Sequence, residues 1–318
     1  MDLYSINSGQ LEPISSEPFK LEQEIQQLVE SNLQSLFDLE FVASEYSIGS
    51  FRLDTLAYDP ANKSFVIIEY KKGSSYSVVD QGYSYLSVML NNKAEFILDY
   101  NERMTDSLKK KDVDWSSTRV IFISPSFNAY QRNSVNFKDV PFELYEIKRY
   151  EGGIIGLESI SASSKESISS LSPIGSKSTI SEVSSEVKVH ELDEHLSKLS
   201  ASTLPLWQAL LDQIEEYGDI DLHATASYVA VKRGSKTVSF VHFRKSYLNL
   251  EFLRGNLKSD GSTSKGFFNA DDPKQLLNER SWTWKSGDKG SVYQVDFKAP
   301  NQLEDIMNIF DQKYKSFD

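Results

Sequence analysis

The sequence predicts an N-terminal α/β domain, with a mixed central sheet flanked by helices, and a smaller C-terminal α+β domain. Three observations predict it. Helix-period and strand-period segments alternate over residues 20–158. A serine-rich stretch follows, with 13 serines in the 31 residues 159–189, too poor in apolar side chains to order itself. A second, separate set of helix and strand patterns then begins. The predicted boundaries are 1–158, a linker over 159–191, and 192–318.

In the first domain Leu21, Ile25, Leu28, Val29, Leu33 and Leu36 recur at three and four residues, which makes KLEQEIQQLVESNLQSLF an amphipathic helix. FRLDTLAYD and SFVIIEYKK flank the turn signal DPANK and read as a β-hairpin. SVVDQGYSYLSVMLNN reads as a helix, and AEFILDY and TRVIFIS as strands. PFELYEIKRY and GIIGLES close the domain as strands. In the second domain TLPLWQALLDQIEEY is a helix, and SYVAVKRGSKTVSFVHFRKSYLNLEFL gives three strands joined by the turns RGSK and RKS. SVYQVDFK adds a strand and LEDIMNIFDQKYKSF a last helix.

Charge and composition narrow the function. The 318 residues carry a net charge of −12, and residues 1–158 hold most of it, with 15 basic against 24 acidic side chains. That balance argues against a general nucleic-acid coat, though not against an enzyme whose metal ion neutralises phosphate. There is no cysteine, so disulfides and thiolate metal sites are excluded. The start MDLYSINSGQLEPISSEPF lacks the basic and apolar regions of a signal peptide, and no apolar run is long enough for a bilayer; the expectation is a cytoplasmic protein without membrane contact. His190, His195, His223 and His242 are scattered outside any zinc motif, and neither a P-loop nor G-x-S-x-G is present.

One segment stands out. In VIIEYKK, residues 66–72, an apolar strand runs into Glu69 and Lys71, two apart and therefore on one face. If Asp59 pairs with Ser64 across the turn, Asp54 falls opposite Glu69. Like charges across a ladder repel, and a divalent cation between the carboxylates would offset the repulsion. Lys71 would then reach the water or the phosphate. A surface ion pair on a polar hairpin face is the alternative.

Asp54, the Glu69-x-Lys71 pair, and Gln81 with Tyr85 one helical turn apart together resemble the PD-(D/E)xK nuclease superfamily, in its RecB- and NucS-like branch. The chain is also similar to a bacterial family of two-domain proteins sometimes labelled predicted transport proteins, and nothing in its residues suggests transport. Leu53-Asp54 stands where the superfamily's name has Pro-Asp, which keeps the carboxylate. The resemblance implies a restriction-endonuclease-like core and a nuclease of DNA rather than RNA, in repair or defence against foreign DNA, with Mg²⁺ or Mn²⁺ as cofactor and a homodimer as one assembly. It implies that Asp54, Glu69, the Tyr70 backbone carbonyl and Glu30 hold the metal, and that Lys71 activates water. Gln81 and Tyr85 would contact DNA or hold Lys71. Arg52 would meet phosphate, a salt bridge being equally open to it; Lys72 would meet phosphate, as would Lys232, Arg233 and Arg244 in the second domain, where Trp282 and Trp284 offer stacking surfaces. A catalytically inactive binding protein on the same fold is the rival reading.

Overall fold

The apolar run SFVIIEY becomes a strand buried along all seven of its residues, and the N-terminal sheet is assembled around it. The computed structural model describes every residue except 1, 61, 73–77, 105–106, 136–139, 161–178, 188–189, 226, 265, 284–287 and 318. The chain divides into two units, residues 1–103 with 107–189, and residues 104–106 with 190–318.

The first unit opens with a hairpin of its own, β1 (Leu3–Asn7) and β2 (Gln10–Ile14). Strand β3 (Ser16–Glu17) leads to helices α1 (Glu22–Glu30) and α2 (Leu33–Phe37). Strands β4 (Glu40–Ile48), β5 (Phe51–Asp59) and β6 (Ser64–Tyr70) follow, then helices α3 (Val78–Asn91) and α4 (Lys93–Met104). Strand β7 (Arg119–Ser124), helix α5 (Ala129–Ser134) and strands β8 (Phe142–Tyr150) and β9 (Ile154–Ile160) complete the sheet. Its order is β3-β8-β7-β6-β5-β4, with β9 also on β8. Strand β6 is antiparallel to β5 and parallel to β7, so the sheet is mixed, as expected.

The two faces of this sheet are covered differently. On one, Ile25 and Val29 of α1 pack with Ala57, Val66, Ile68, Tyr70, Ile121 and Ile123. On the other, Tyr58, Phe65, Phe96 and Tyr100 form an aromatic cluster. Alternation along a strand therefore places Thr55 and Tyr70 on the α1 side and Asp54 and Glu69 on the opposite side.

Three expectations need correction. AEFILDY lies in α4 and is not a strand; Phe96 and Tyr100, four apart, are both buried, so the helical period wins over the apparent alternation of a short run. The first helix is two helices, parted at Ser31 and Asn32, where the Asn32 side-chain Nδ2 donates back to the Leu28 carbonyl at 2.7 Å. The stretch expected as linker contains helix α6 (Thr179–Glu186), whose Glu186 forms an ion pair with Lys93.

The second unit contains α7 (Leu192–Leu196), α8 (Leu204–Glu215) and α9 (Leu303–Lys315) with six antiparallel strands. These are β10 (Asp221–Ala224), β11 (Val229–Arg233), β12 (Lys236–Arg244), β13 (Tyr247–Leu257), β14 (Asn278–Thr283) and β15 (Lys289–Phe297), in the order β10-β11-β12-β13-β15-β14. Trp207, Leu210 and Phe310 of the helices pack on Val229, Val241, Leu250 and Phe252 of the sheet. Among the described residues no helix is long and apolar enough to cross a membrane.

Candidate active site

Strands β5 and β6 pair with Asp59 opposite Ser64 and Thr55 opposite Ile68, the register that carries Asp54 toward Glu69. Asp54 Oδ2 accepts a hydrogen bond from the Tyr70 amide at 3.0 Å, fixing the carboxylate at the end of β6. Glu69 is only 3 % exposed. Its Oε1 accepts from Lys71 Nζ at 2.7 Å and from Gln81 Nε2 at 2.6 Å. Its Oε2 is buried and has no hydrogen-bond partner among the described residues.

A half-buried acid and a buried one on one face share a lysine, and the electrostatics register this. Burial, reinforced by the Glu69 charge, pushes the Asp54 carboxyl up to about 7; the Tyr70 amide and Lys71 pull it the other way. A carboxylate oxygen left without a donor inside protein carries a desolvation penalty of about 1–3 kcal/mol or more. A small divalent cation, with its preference for carboxylate and carbonyl oxygen, fits this pair. Among the described residues no set of three acidic or histidine side chains that could hold a metal converges.

Helix α3 delivers the next two residues. Gln81 and Tyr85 share a helical face, with Gln81 Nε2 donating to Tyr85 Oη at 2.7 Å. Burial and the Glu69 charge push the Tyr85 phenol well above its ordinary range, so it stays a protonated donor. The helix sits very close to the sheet: a Cβ added at Gly82 would lie 2.5 Å from the Phe142 ring. Gln81 is thereby also a donor to Glu69.

Glu30 is a correction. Its Oε1 accepts from Thr55 Oγ1 at 2.6 Å and from Gln26 Nε2 at 3.1 Å, on the α1 side of the sheet, so it does not join the carboxylate pair as a third ligand. Tyr70 Oη meets Thr55 Oγ1 at 3.1 Å in the same network, while its backbone stands beside Asp54. Arg52 is exposed and paired with Glu45, and Lys72 donates to the Lys20 carbonyl.

The basic residues of the second unit are not one patch. Lys232 and Arg233 are consecutive on β11 and point to opposite faces. Arg233 pairs with Asp219 at 3.0 Å and lies over the Tyr314 ring at 4.3 Å. Arg233 faces Lys236 at one end of β12, whereas Arg244 is at the other end, about 26 Å along a strand of that length. Trp282 lies on β14, and Trp284 lies outside the described residues.

Sequence reasoning missed Gln26, which is 7 % exposed and donates to the Asp54 carbonyl at 3.0 Å. A glutamine inside the apolar stripe of α1, between Ile25 and Val29, was the available signal.

No protein-family model matches the chain. An uncharacterized protein of Haemophilus influenzae is 37 % identical over 319 residues, covering 99 % of this chain and 100 % of that protein. A crystal structure of a repair endonuclease from Pyrococcus abyssi aligns over 37 % of this chain and 44 % of that one, at 15 % identity and a TM-score of 0.23. That overlap decides neither fold nor function.

Proposed function

We propose that this chain, which belongs to the same family as the uncharacterized Haemophilus influenzae protein, is a divalent-metal-dependent nuclease that hydrolyses phosphodiester bonds in DNA. One observation carries the reading: the half-buried Asp54 and the buried Glu69 share a face with Lys71, and one Glu69 oxygen is left without a donor. The choice of DNA, and of the RecB- and NucS-like branch, rests on the likeness of the motif set.

Asp54, Glu69 and the Tyr70 carbonyl would hold Mg²⁺ or Mn²⁺, which supplies Lewis-acid stabilisation of charge on the phosphate. Gln81 clamps Glu69 Oε1, leaving Oε2 for the ion. Lys71, 13 % exposed and bonded to Glu69, orients the attacking water and meets the charge that grows on the phosphate oxygens. The water oxygen bonds to phosphorus, one P–O ester bond breaks, and the leaving alkoxide takes up a proton.

A binding protein without catalysis is the second reading, favoured by the acidity of residues 1–158 and by the pairing of Arg52 with Glu45. Cleavage of labelled single-stranded, duplex, flapped and mismatched DNA, and of RNA, separates the two. With Mg²⁺ or Mn²⁺ the wild type is expected to cut DNA, and Asp54→Ala and Lys71→Ala to lose at least about 100-fold in rate. No cutting of any substrate, with no Mn²⁺ binding by calorimetry, would leave only the binding protein.

A further inference from the structure

The pairing of β4 with β5 is interrupted beside Asp54. It passes from Ser44 opposite Thr55 to Tyr46 opposite Leu53, with no rung between Glu45 and Asp54. Glu45 stands there in left-handed backbone, at φ 51°, a conformation a glutamate adopts only when its surroundings impose it. The strand that presents Asp54 therefore lacks a rung to its neighbour at that residue, as the ladder also does at the register shift between Phe41 and Ala43.

A side chain takes over. Gln26 Nε2 lies 3.0 Å from the Asp54 carbonyl, 3.0 Å from Ser44 Oγ and 3.1 Å from Glu30 Oε1. An amide offers two protons to these three acceptors, so one proton is shared. Glu30 is itself held by Thr55, which meets the Tyr70 hydroxyl. The network thus grips β5 at residues 54 and 55 and β6 at residue 70, on the face away from the two carboxylates. Its members bind the strands that carry the acids and leave the acids themselves free to face the ion.

We propose that Gln26 is a positioning residue for the metal site: it replaces the missing rung, fixes the Asp54 backbone, and so sets where the Asp54 carboxylate meets Glu69. Glu30 orients Gln26, which accounts for an acid at that position without its being a metal ligand. This rests on the nuclease reading, because it presumes that Asp54 and Glu69 bind a divalent ion.

The test is Mn²⁺ titration of the full chain by calorimetry, with urea unfolding in EDTA run alongside. Gln26→Met keeps the volume and removes the donors; its Mn²⁺ Kd is expected to rise about 10–100-fold, the range typical of groups that orient metal ligands. Thr55→Val is nearly isosteric and releases Glu30 and the Tyr70 hydroxyl, so an increase of about three- to tenfold is expected. Asp54→Ala should abolish binding. An unchanged Kd in both folded network variants, whatever their stability, would overturn the proposal; if Gln26→Met does not fold, Thr55→Val decides alone. No Mn²⁺ binding by the wild type would overturn the nuclease reading and this inference together, an outcome distinct from wild-type binding with unaffected variants.

Discussion

Asp54 holds a negative charge that the metal-free protein resists. Its carboxyl is pushed up to about 7 by burial and by Glu69, against 3.8 for the unperturbed group. The native state therefore binds a proton more tightly than the unfolded chain, and this group's contribution to stability is complete below about pH 4 and lost as pH rises through about 7. Asp54→Asn keeps an acceptor for the Tyr70 amide and removes the charge. It is expected to stabilise the metal-free protein at pH 8 by about 1–4 kcal/mol and to change little at pH 4, as read by urea unfolding in EDTA. Equal effects at the two pH values would refute the assignment. That Asp54, Glu69 and Lys71 share a face, and Gln81 and Tyr85 a helical side, was legible in the sequence because strand alternation and the helical i, i+4 relation are local rules. Gln26 and the partner of Glu30 were not. The Asp54 carbonyl and Thr55 reach them through tertiary packing that no spacing encodes.

At the level of the element, α3 sets how far Gln81 stands from Glu69. Alanine at position 82 would gain about 1 kcal/mol of helix propensity, yet its Cβ would lie 2.5 Å from Phe142, so the helix or the ring must move. Gly82→Ala is expected to lower stability by about 1–3 kcal/mol. It should slow cleavage more than a surface variant of equal stability, because Gln81 is carried away from Glu69. Cleavage by Gly82→Ala at the wild-type rate would show that α3 has no hold on the site. The hairpin β5–β6 and its register were readable from a turn signal and two apolar runs, whereas α4 was not. Phe96 and Tyr100 suit a strand face and a helix face equally over seven residues, and only the aromatic cluster they join selects the helix.

For the whole molecule the decisive quantity is charge. The chain carries −12, residues 1–158 are its acidic part, and Lys232 and Arg233 point to opposite faces of their strand. A protein of this kind neutralises few phosphates. The slope of log affinity against log salt for DNA is expected to be smaller in magnitude than about 4, measured by anisotropy with Ca²⁺ present to hold off cleavage. A slope near −8 would mean a basic surface that these residues do not form. The division into two units followed from composition, since a serine-rich stretch with few apolar residues separates two patterned regions. The helix within that stretch was hidden by the same composition: Val183 and Val187 are buried, but they are sparse among serines.

Strand β6 is where the sheet changes direction, antiparallel to β5 across a short turn and parallel to β7 only after α3 and α4 have been traversed. Local contacts form early and distant ones late. The hairpin brings Asp54 and Glu69 together while they are still wet, and the later arrival of β7 and α3 removes the water around them. Desolvation of the acid pair thus belongs to the last stage of folding. In EDTA the unfolding rate should rise between pH 5.5 and pH 8 in the wild type while refolding changes little, and stopped-flow unfolding of Asp54→Asn should show a flat profile over the same interval.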